Sequence, residues 1–124
     1  MILIMNNKCE EFYAIMGKLF GSRIAQNETH DRIYDDNKKC WYVYTEEENP
    51  VAYVSVIDNV IKNIYCTKQE FLVELLQYLN TQFIIQDSIV TNAYINVYEE
   101  SGLDVDTSNE YKNFVVIRSK ADGQ

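Results

Sequence analysis

The sequence has few of the residues on which disulfide-rich, zinc-binding and histidine-dependent proteins rely. Its 124 residues include one histidine and three cysteines, Cys9, Cys40 and Cys66. The cysteines are odd in number and widely spaced, so they match neither a disulfide framework nor a zinc-ligand pattern. They indicate reduced cysteines and predict a cytoplasmic protein. His30 lies among acidic residues in a polar segment, which indicates an exposed side chain rather than a catalytic base.

The sequence also lacks long apolar runs, and no basic residue precedes the apolar run at its start. The opening MILIM is a run of five apolar residues, whereas a signal-peptide core needs about seven to fifteen and a membrane helix about twenty. This predicts neither an export signal nor a membrane span. The segment is interpreted as a short first strand.

Positive charge is scarce, because 11 basic residues face 19 acidic ones and the formal net charge is −8. A negative field of this size repels phosphate backbones, which argues against direct nucleic-acid binding. A negative field suits a basic protein partner or a cationic amine substrate. In most proteins, however, an excess of charge only keeps the protein in solution. Another interpretation stays open because acidic residues occur in small clusters. Such clusters can imitate DNA phosphates in proteins that inhibit nucleases or DNA-binding enzymes, and here they are CEE, DD, EEE, YEE and DVD.

The sequence does contain enough apolar residues for one core, since 47% of them are hydrophobic. The length predicts a single domain over 1–124, with a loose tail at 119–124. Apolar residues three and four apart between Cys9 and Phe20 predict an amphipathic helix, which Gly21 ends. A short helix around Glu28 to Asp35 is predicted inside the polar connection that follows.

The middle of the chain is rich in β-branched and aromatic residues. The runs CWYVY, VAYVSVI and VIKNIYC, between Cys40 and Cys66, are separated by EEENP and DN, which predicts three antiparallel strands joined by two hairpins. Pro50 is tolerated because it lies at a strand's first residue. A helix from Lys68 to Gln82 follows, and its leucines and phenylalanines at helical spacing predict one broad buried face.

The last third of the chain alternates strand and helix signals. DSIVTNAY predicts a strand, INVYEES a helix closed by Gly102, and NFVVIRS a final strand. The whole order is βα(α)βββαβαβ. It predicts an α/β (α+β) fold, in which helices flank a mixed, mainly antiparallel sheet and the strand near Ile89 has a parallel neighbour.

This order and the segment Thr91 to Leu103 resemble the GNAT family of N-acetyltransferases, over roughly Cys40 to Arg118. Tyr98 and Gly102 match the tyrosine and glycine of the family pattern N-x-x-A-x-x-x-Y-x-x-x-G-F, and Leu103 replaces the phenylalanine. The resemblance implies a GNAT-like fold and the use of acetyl-CoA, with Tyr98 as general acid towards the leaving thiolate. Judged alone, Tyr98 would be interpreted as a core tyrosine of an amphipathic helix.

The resemblance also implies where the cofactor would bind, at the end of the VIKNIYC strand. The residues concerned are Ile64, Tyr65, Cys66, Thr67 and Lys68. Backbone groups of the VAYVSVI and VIKNIYC strands would contact the pantetheine, and the residues after the second strand would lie beside the pyrophosphate.

The family's phosphate-binding loop, Q/R-x-x-G-x-G/A, is missing at this junction of strand and helix. Glu70 and Leu72 occupy its two glycine positions. In addition, TKQE is the pattern of a capping box, in which Thr67 and Glu70 bond each other's backbone N–H groups. Such a start leaves few donors for a pyrophosphate, so binding of acetyl-CoA is predicted to be weak or absent. No metal is predicted, since the acids around His30 match no zinc or calcium spacing.

Two functions remain open from the sequence. One is an acyl-CoA-dependent N-acetyltransferase that acts on a small-molecule or protein amine, with Glu46 or Asp58 receiving the amine. The other is a non-catalytic acidic interaction or inhibitor protein, which keeps the GNAT fold, has lost coenzyme A binding and meets a protein partner.

Overall fold

Two antiparallel sheets form the framework of the protein in the residues that the computed structural model describes, 1–17, 19–108 and 111–120. The first sheet has the order β1-β2-β3-β4 and consists of β1 (Ile2–Met5), β2 (Cys40–Glu46), β3 (Asn49–Ile57) and β4 (Val60–Cys66). The second has the order β5-β7-β6 and consists of β5 (Ser88–Thr91), β6 (Leu103–Asp106) and β7 (Phe114–Ser119). β1 and β4 are therefore the outer strands of the first sheet.

Helices cover both faces of the first sheet. They are α1 (Phe12–Met16), α2 (Arg23–Thr29), α3 (Gln69–Gln82) and α4 (Ile95–Glu100), and a 3-10 turn, Asn92–Tyr94, leads into α4. Residues of α1 and α2 pack with Trp41 and Tyr53 on one face. α3 packs on the other face.

The three antiparallel strands predicted between Cys40 and Cys66 are confirmed as β2, β3 and β4, and the mixture of helices and strands confirms an α/β (α+β) fold. Both hairpin turns use two residues with positive φ, Glu47 and Glu48 in the first and Asp58 and Asn59 in the second. Two consecutive left-handed residues are typical of tight turns whose twist matches that of the paired strands.

The second sheet tests the prediction for the strand near Ile89 and adds one strand. Ile89 of β5 pairs antiparallel with Val116 of β7. The predicted parallel neighbour is β4, which lies beside β5 in the same direction but forms no ladder with it in the described residues. On its other side β7 pairs with β6, a strand that was not predicted. Aspartate is depleted in strands, which hides the alternation of LDVD. Here Asp104 and Asp106 lie 3.5 and 3.7 Å from the Arg118 guanidinium of β7, which compensates their charge.

The first two helices differ from their predictions in extent and place. α1 covers only the centre of the helix predicted from Cys9 to Phe20, a stretch whose residue 18 lies outside the described residues. The helix predicted around Glu28 to Asp35 is wrong in position, because α2 begins earlier, after Ser22. The Ser22 hydroxyl accepts a hydrogen bond from the Ala25 N–H (3.3 Å), which caps the start of α2.

The loose tail predicted from residue 119 is corrected at its first residue. Ser119 is the last residue of β7, and its N–H donates to the Ile85 carbonyl (3.0 Å) while its hydroxyl donates to Asn80 Oδ1 (2.6 Å). The end of β7 is thus tied to α3 and to the segment after it. Residues 121–124 of the predicted tail lie outside the described residues.

One apolar face of α3 joins the two sheets. Its leucines are all fully buried: Leu72, Leu75, Leu76 and Leu79. They form one cluster with Val54 and Ile64 of the first sheet and Val90 and Ile117 of the second. The predicted broad buried face of this helix is confirmed. The sheets share no ladder in the described residues, but they also meet directly where β4 lies beside β5.

A buried lysine lies on the opposite face of the first sheet. Lys39 precedes β2, and its Nζ donates to Asn63 Oδ1 and to the Tyr34 carbonyl, both at 2.8 Å. Asn63 also accepts the Ser55 hydroxyl (2.8 Å) and donates to Asp31 (3.0 Å). Burial lowers the pKa of Lys39, although neighbouring carboxylates oppose that shift. These bonds hold the segment that follows α2 against β3 and β4.

Asn63→Ala should lower the free energy of unfolding by about 2–3 kcal/mol, because it leaves the buried Lys39 ammonium short of one acceptor. The matched control is Lys62→Ala, on the exposed side of the same strand, for which we expect a change within about 0.5 kcal/mol. Urea unfolding followed by circular dichroism measures both. Equal stability of the two variants would show that the bond from Lys39 to Asn63 contributes nothing measurable.

Candidate functional site

β4 and β5 lie side by side without forming a strand ladder in the described residues, at the place where the resemblance implies the cofactor. Near the start of each strand they are joined by two hydrogen bonds. The Gln86 N–H donates to the Asn59 carbonyl (2.9 Å), and the Ile61 N–H donates to the Ser88 hydroxyl (2.8 Å). A side-chain oxygen thus replaces a backbone acceptor between the two strands.

The β4–β5 junction is formed by the strand ends Cys66 and Thr91 together with Tyr94 and Tyr98, and Tyr94 closes it. The Tyr94 hydroxyl donates to Glu28 Oε2 of α2 (2.5 Å) and accepts the Cys66 N–H (3.4 Å). Only 3% of Tyr94 is exposed. A side chain of the protein itself therefore occupies the outer edge of β4 at Cys66, where the resemblance implies a contact to pantetheine.

Tyr98, the candidate general acid, is the part of the β4–β5 junction that α4 contributes. Its side chain is 0% exposed, and its hydroxyl donates to the Thr91 carbonyl at 2.7 Å. Burial raises the pKa of Tyr98 well above the ordinary value, so the phenol is neutral and its proton lies in this hydrogen bond. A general acid must come within hydrogen-bond reach of the leaving group, which this buried conformation does not allow. The catalytic role of Tyr98 stays a prediction.

The Cys66 thiol is buried in the same junction. Its pKa is raised to about 12, first because burial disfavours the thiolate and then because the Glu28 carboxylate is close, while a hydrogen bond with Tyr94 opposes the shift. A thiol with this pKa is protonated at neutral pH, and the thiolate is the nucleophilic form. In this conformation Cys66 contributes packing and a backbone N–H, not a nucleophile.

The other predicted cofactor contacts lie in different surroundings. Ile64 faces the core on the α3 side of the sheet, whereas Tyr65 faces the core under α1 and α2. Thr67 and Lys68 are exposed. Lys68 Nζ forms an ion pair with Glu46 (3.1 Å), one of the two acids predicted to receive an amine. The structure thus brings Lys68 and Glu46 together, away from the buried end of β4.

The acid at the β4–β5 junction is Glu28 rather than Glu46 or Asp58. Asp58 is exposed in the turn that precedes β4, at the opposite end of that strand. Glu28 belongs to the polar connection, where the sequence indicates only a charged surface segment. Its contact with Tyr94 joins residues 66 positions apart. Since no local pattern reports a contact over that distance, sequence reasoning missed both residues.

The start of α3 corrects the predicted capping box. The helix N-cap is Lys68, and no side-chain hydrogen bond caps the helix there. Thr67 instead extends the pairing of β4 with β3, since its N–H (2.9 Å) and its hydroxyl (3.3 Å) both donate to the Val51 carbonyl. The prediction that a Thr67–Glu70 box occupies the N–H groups is therefore wrong. Glu70 does lie in the first turn, where its charge opposes an anionic ligand.

Polar residues around His30 make hydrogen bonds within the fold. Asp35 accepts the Trp41 indole N–H (3.1 Å), and Asp31 accepts a bond from Asn63. His30 is exposed at the end of α2, which confirms its predicted surface position. Among residues 1–17, 19–108 and 111–120, no group of three or more histidine, cysteine or acidic side chains is arranged to hold a metal ion.

Comparisons with known proteins do not assign a family to the chain. No protein-family model matches it, and no curated protein is significantly similar to it. Within the part of the chain that the structure describes, no helix is long and apolar enough to cross a membrane. The GNAT resemblance therefore stays a prediction.

Labelling with a thiol reagent that gives a coloured product tests whether the β4–β5 junction is closed. At about pH 8, Cys66 should react roughly 10²–10³-fold more slowly than Cys9, because burial and a raised pKa withhold its thiolate while Cys9 is exposed. The variant Cys9→Ser/Cys40→Ser isolates the Cys66 reaction, and Cys40→Ser/Cys66→Ser gives the exposed reference. Denaturant should abolish the difference. Similar rates in the native proteins would mean that the junction is open.

Proposed function

We propose that this chain is a non-catalytic acidic interaction protein whose partner is a protein, and that it has a GNAT-like order of elements without coenzyme A binding. One observation carries the proposal: Tyr94 closes the β4–β5 junction from within, by hydrogen bonds to Glu28 and to the Cys66 N–H. A pantetheine that used the same backbone group would have to displace both bonds.

Further features support the proposal. Tyr98 is fully buried and bonded to the Thr91 carbonyl, so a catalytic role would require the junction to open. An anion at the start of α3 would meet the charge of Glu70, while the adjacent Lys68 is already paired with Glu46. The formal net charge of −8 also favours a positively charged partner over a polyphosphate cofactor.

The N-acetyltransferase implied by the resemblance is the second candidate, and one observation favours it. The start of α3 has no side-chain cap at Lys68, so the first N–H groups of the helix are not used by a side-chain acceptor. Such an enzyme would hold acetyl-CoA along Ile64–Lys68 and would use Tyr98 as general acid once the junction had opened.

Calorimetric titration with acetyl-CoA tests the proposal directly. We expect no binding at micromolar strength, and no rise in melting temperature with millimolar coenzyme A, because Tyr94 occupies the edge of β4. Tyr94→Ala is the matched variant, since it removes both closing bonds and leaves space beside Cys66. Weak binding by this variant alone would agree with the proposal. Micromolar binding by the parent protein, lost in Lys68→Ala, would overturn it in favour of the enzyme.

Tyr98→Phe separates the two candidate functions. Under the proposal it lowers the free energy of unfolding by about 0.5–1.5 kcal/mol, because the Thr91 carbonyl loses its donor, and acetyl transfer is absent in both proteins. Under the second candidate it also lowers turnover by roughly 10²–10⁴-fold. Urea unfolding and an acetyl-transfer assay on a panel of amines measure these effects, with the half-buried Tyr78→Phe as control. Turnover that Tyr98→Phe reduces would contradict the proposal.

A further inference from the structure

An apolar groove runs along β1 on the side of α1. It has a volume of about 680 Å³, and Met1, Leu3, Ala14 and Ile15 supply its apolar lining. A smaller hollow of about 300 Å³ continues it past Leu3 towards Met5. We call these two neighbouring depressions, which share Leu3 and Glu11 in their lining, the β1 groove. Their length follows the strand, which is the shape that an extended chain would fill.

The outer edge of β1 has backbone groups that no strand of the described residues pairs. Met1 and Thr45 exchange both hydrogen bonds, with N–O distances of 3.0 and 2.8 Å. Because bonded and non-bonded residues alternate in an antiparallel pair, the N–H and C=O groups of Ile2 and Ile4 point away from β2. Ile4 is 52% exposed. The edge therefore offers a donor and an acceptor at each of two alternate residues.

β1 has one of the features that usually protect an edge strand, its short length of four residues, but it lacks the others. Natural edges are shielded by charged residues, proline or a bulge, and β1 contains only isoleucine, leucine and methionine in a continuous register. The contrast is β6, the outer strand of the second sheet, where Asp104 and Asp106 interrupt the apolar residues. The outer edge of β1 can therefore accept a further strand.

Carboxylates surround the β1 groove. Glu11, Glu47 and Glu48 line the larger depression, and Glu10 and Glu11 line the smaller one. All four are exposed, and none forms an ion pair within the described residues. The groove therefore combines an apolar floor with a negative rim. A ligand that matches both has apolar and basic side chains together.

We propose that the β1 groove binds an extended segment of a protein partner, rich in lysine or arginine and with apolar residues between them, as an additional strand on β1. The inference rests on the proposed function, since it names the partner of an interaction protein. In an added strand alternate side chains point to the same face, so apolar residues can enter the groove while basic ones meet the glutamates. A second copy of this chain fits poorly, because the same carboxylates would face each other.

A capped synthetic peptide of alternating lysine and valine is the probe, and a peptide of alternating glutamate and valine is its control. We expect the basic peptide to bind, the acidic one not to bind, and binding to weaken as salt rises. Fluorescence anisotropy measures affinity, and hydrogen exchange measures protection gained by the Ile2 and Ile4 amides. Failure of the basic peptide to bind, or binding without protection at β1, would overturn the inference.

Methylation of the peptide backbone tests strand addition without changing the protein. Methyl groups on the alternate nitrogens that face β1 should abolish binding, whereas methyl groups on the nitrogens facing away should leave it. In the protein, Ile4→Pro removes an outward N–H at a position where an edge strand tolerates proline, and it should also abolish binding. If Ile4→Pro fails to fold, the methylated peptides decide alone. Equal binding of both methylated peptides would exclude an added strand.

Charge reversal tests the rim of the groove. Glu11→Lys/Glu48→Lys should weaken the basic peptide about tenfold, whereas Glu99→Lys/Glu100→Lys on α4, with the same change in net charge, should have an effect below about twofold. Equal weakening would show attraction by net charge alone and would overturn the groove as the site.

Two further outcomes have separate meanings. Dimers of the parent chain that Ile4→Pro dissociates would show that a second copy, not a basic segment, occupies the groove. If the parent protein bound both acetyl-CoA and the basic peptide, the proposed function would be overturned but the β1 groove would stay a peptide site.

Discussion

Burial of one face of α3 is the interaction on which the arrangement of both sheets depends. The sheets share no ladder in the described residues, but residues of both belong to the same apolar cluster as four leucines of the helix. Burying a leucine contributes about 1.5–3 kcal/mol, so four of them supply an energy comparable with the net stability of a whole domain. The same cluster includes Tyr94 and Tyr98, so the packing of the helix is continuous with the β4–β5 junction.

The missing ladder between β4 and β5 leaves buried backbone groups that need partners, and side-chain hydroxyls provide them. Ser88 accepts the Ile61 N–H, Tyr94 accepts the Cys66 N–H, and the Tyr98 hydroxyl donates to the carbonyl at the end of β5. An unpaired buried backbone group costs about as much as a lost hydrogen bond, so each hydroxyl removes a penalty. The same bonds that complete the fold therefore close the place where a cofactor is implied.

The two outer strands of the first sheet differ in how far their outer edges are covered. β4 is covered by β5 and by Tyr94, and its polar groups near the junction are satisfied. β1 has an apolar surface, outward backbone groups and a rim of carboxylates. Within the described residues, one edge of the sheet is thus closed and the other is uncovered. This contrast supports the proposal of an interaction protein over that of an enzyme.

The sequence by itself determined the elements with strong local patterns: β2, β3 and β4 through their β-branched runs and turns, and α3 through its leucine spacing. It failed where a distant partner decides the outcome. Thr67 fits the pattern of a helix cap but donates to Val51 across the hairpin, and the aspartates of β6 lie beside Arg118 of the neighbouring strand. Only the tertiary structure decided that Glu28 meets Tyr94, that Tyr98 is buried, and that no strand of the described residues pairs with the outer edge of β1. Periodicity reports which face of an element is apolar, whereas such contacts depend on packing between elements far apart in sequence, which leaves no periodic trace.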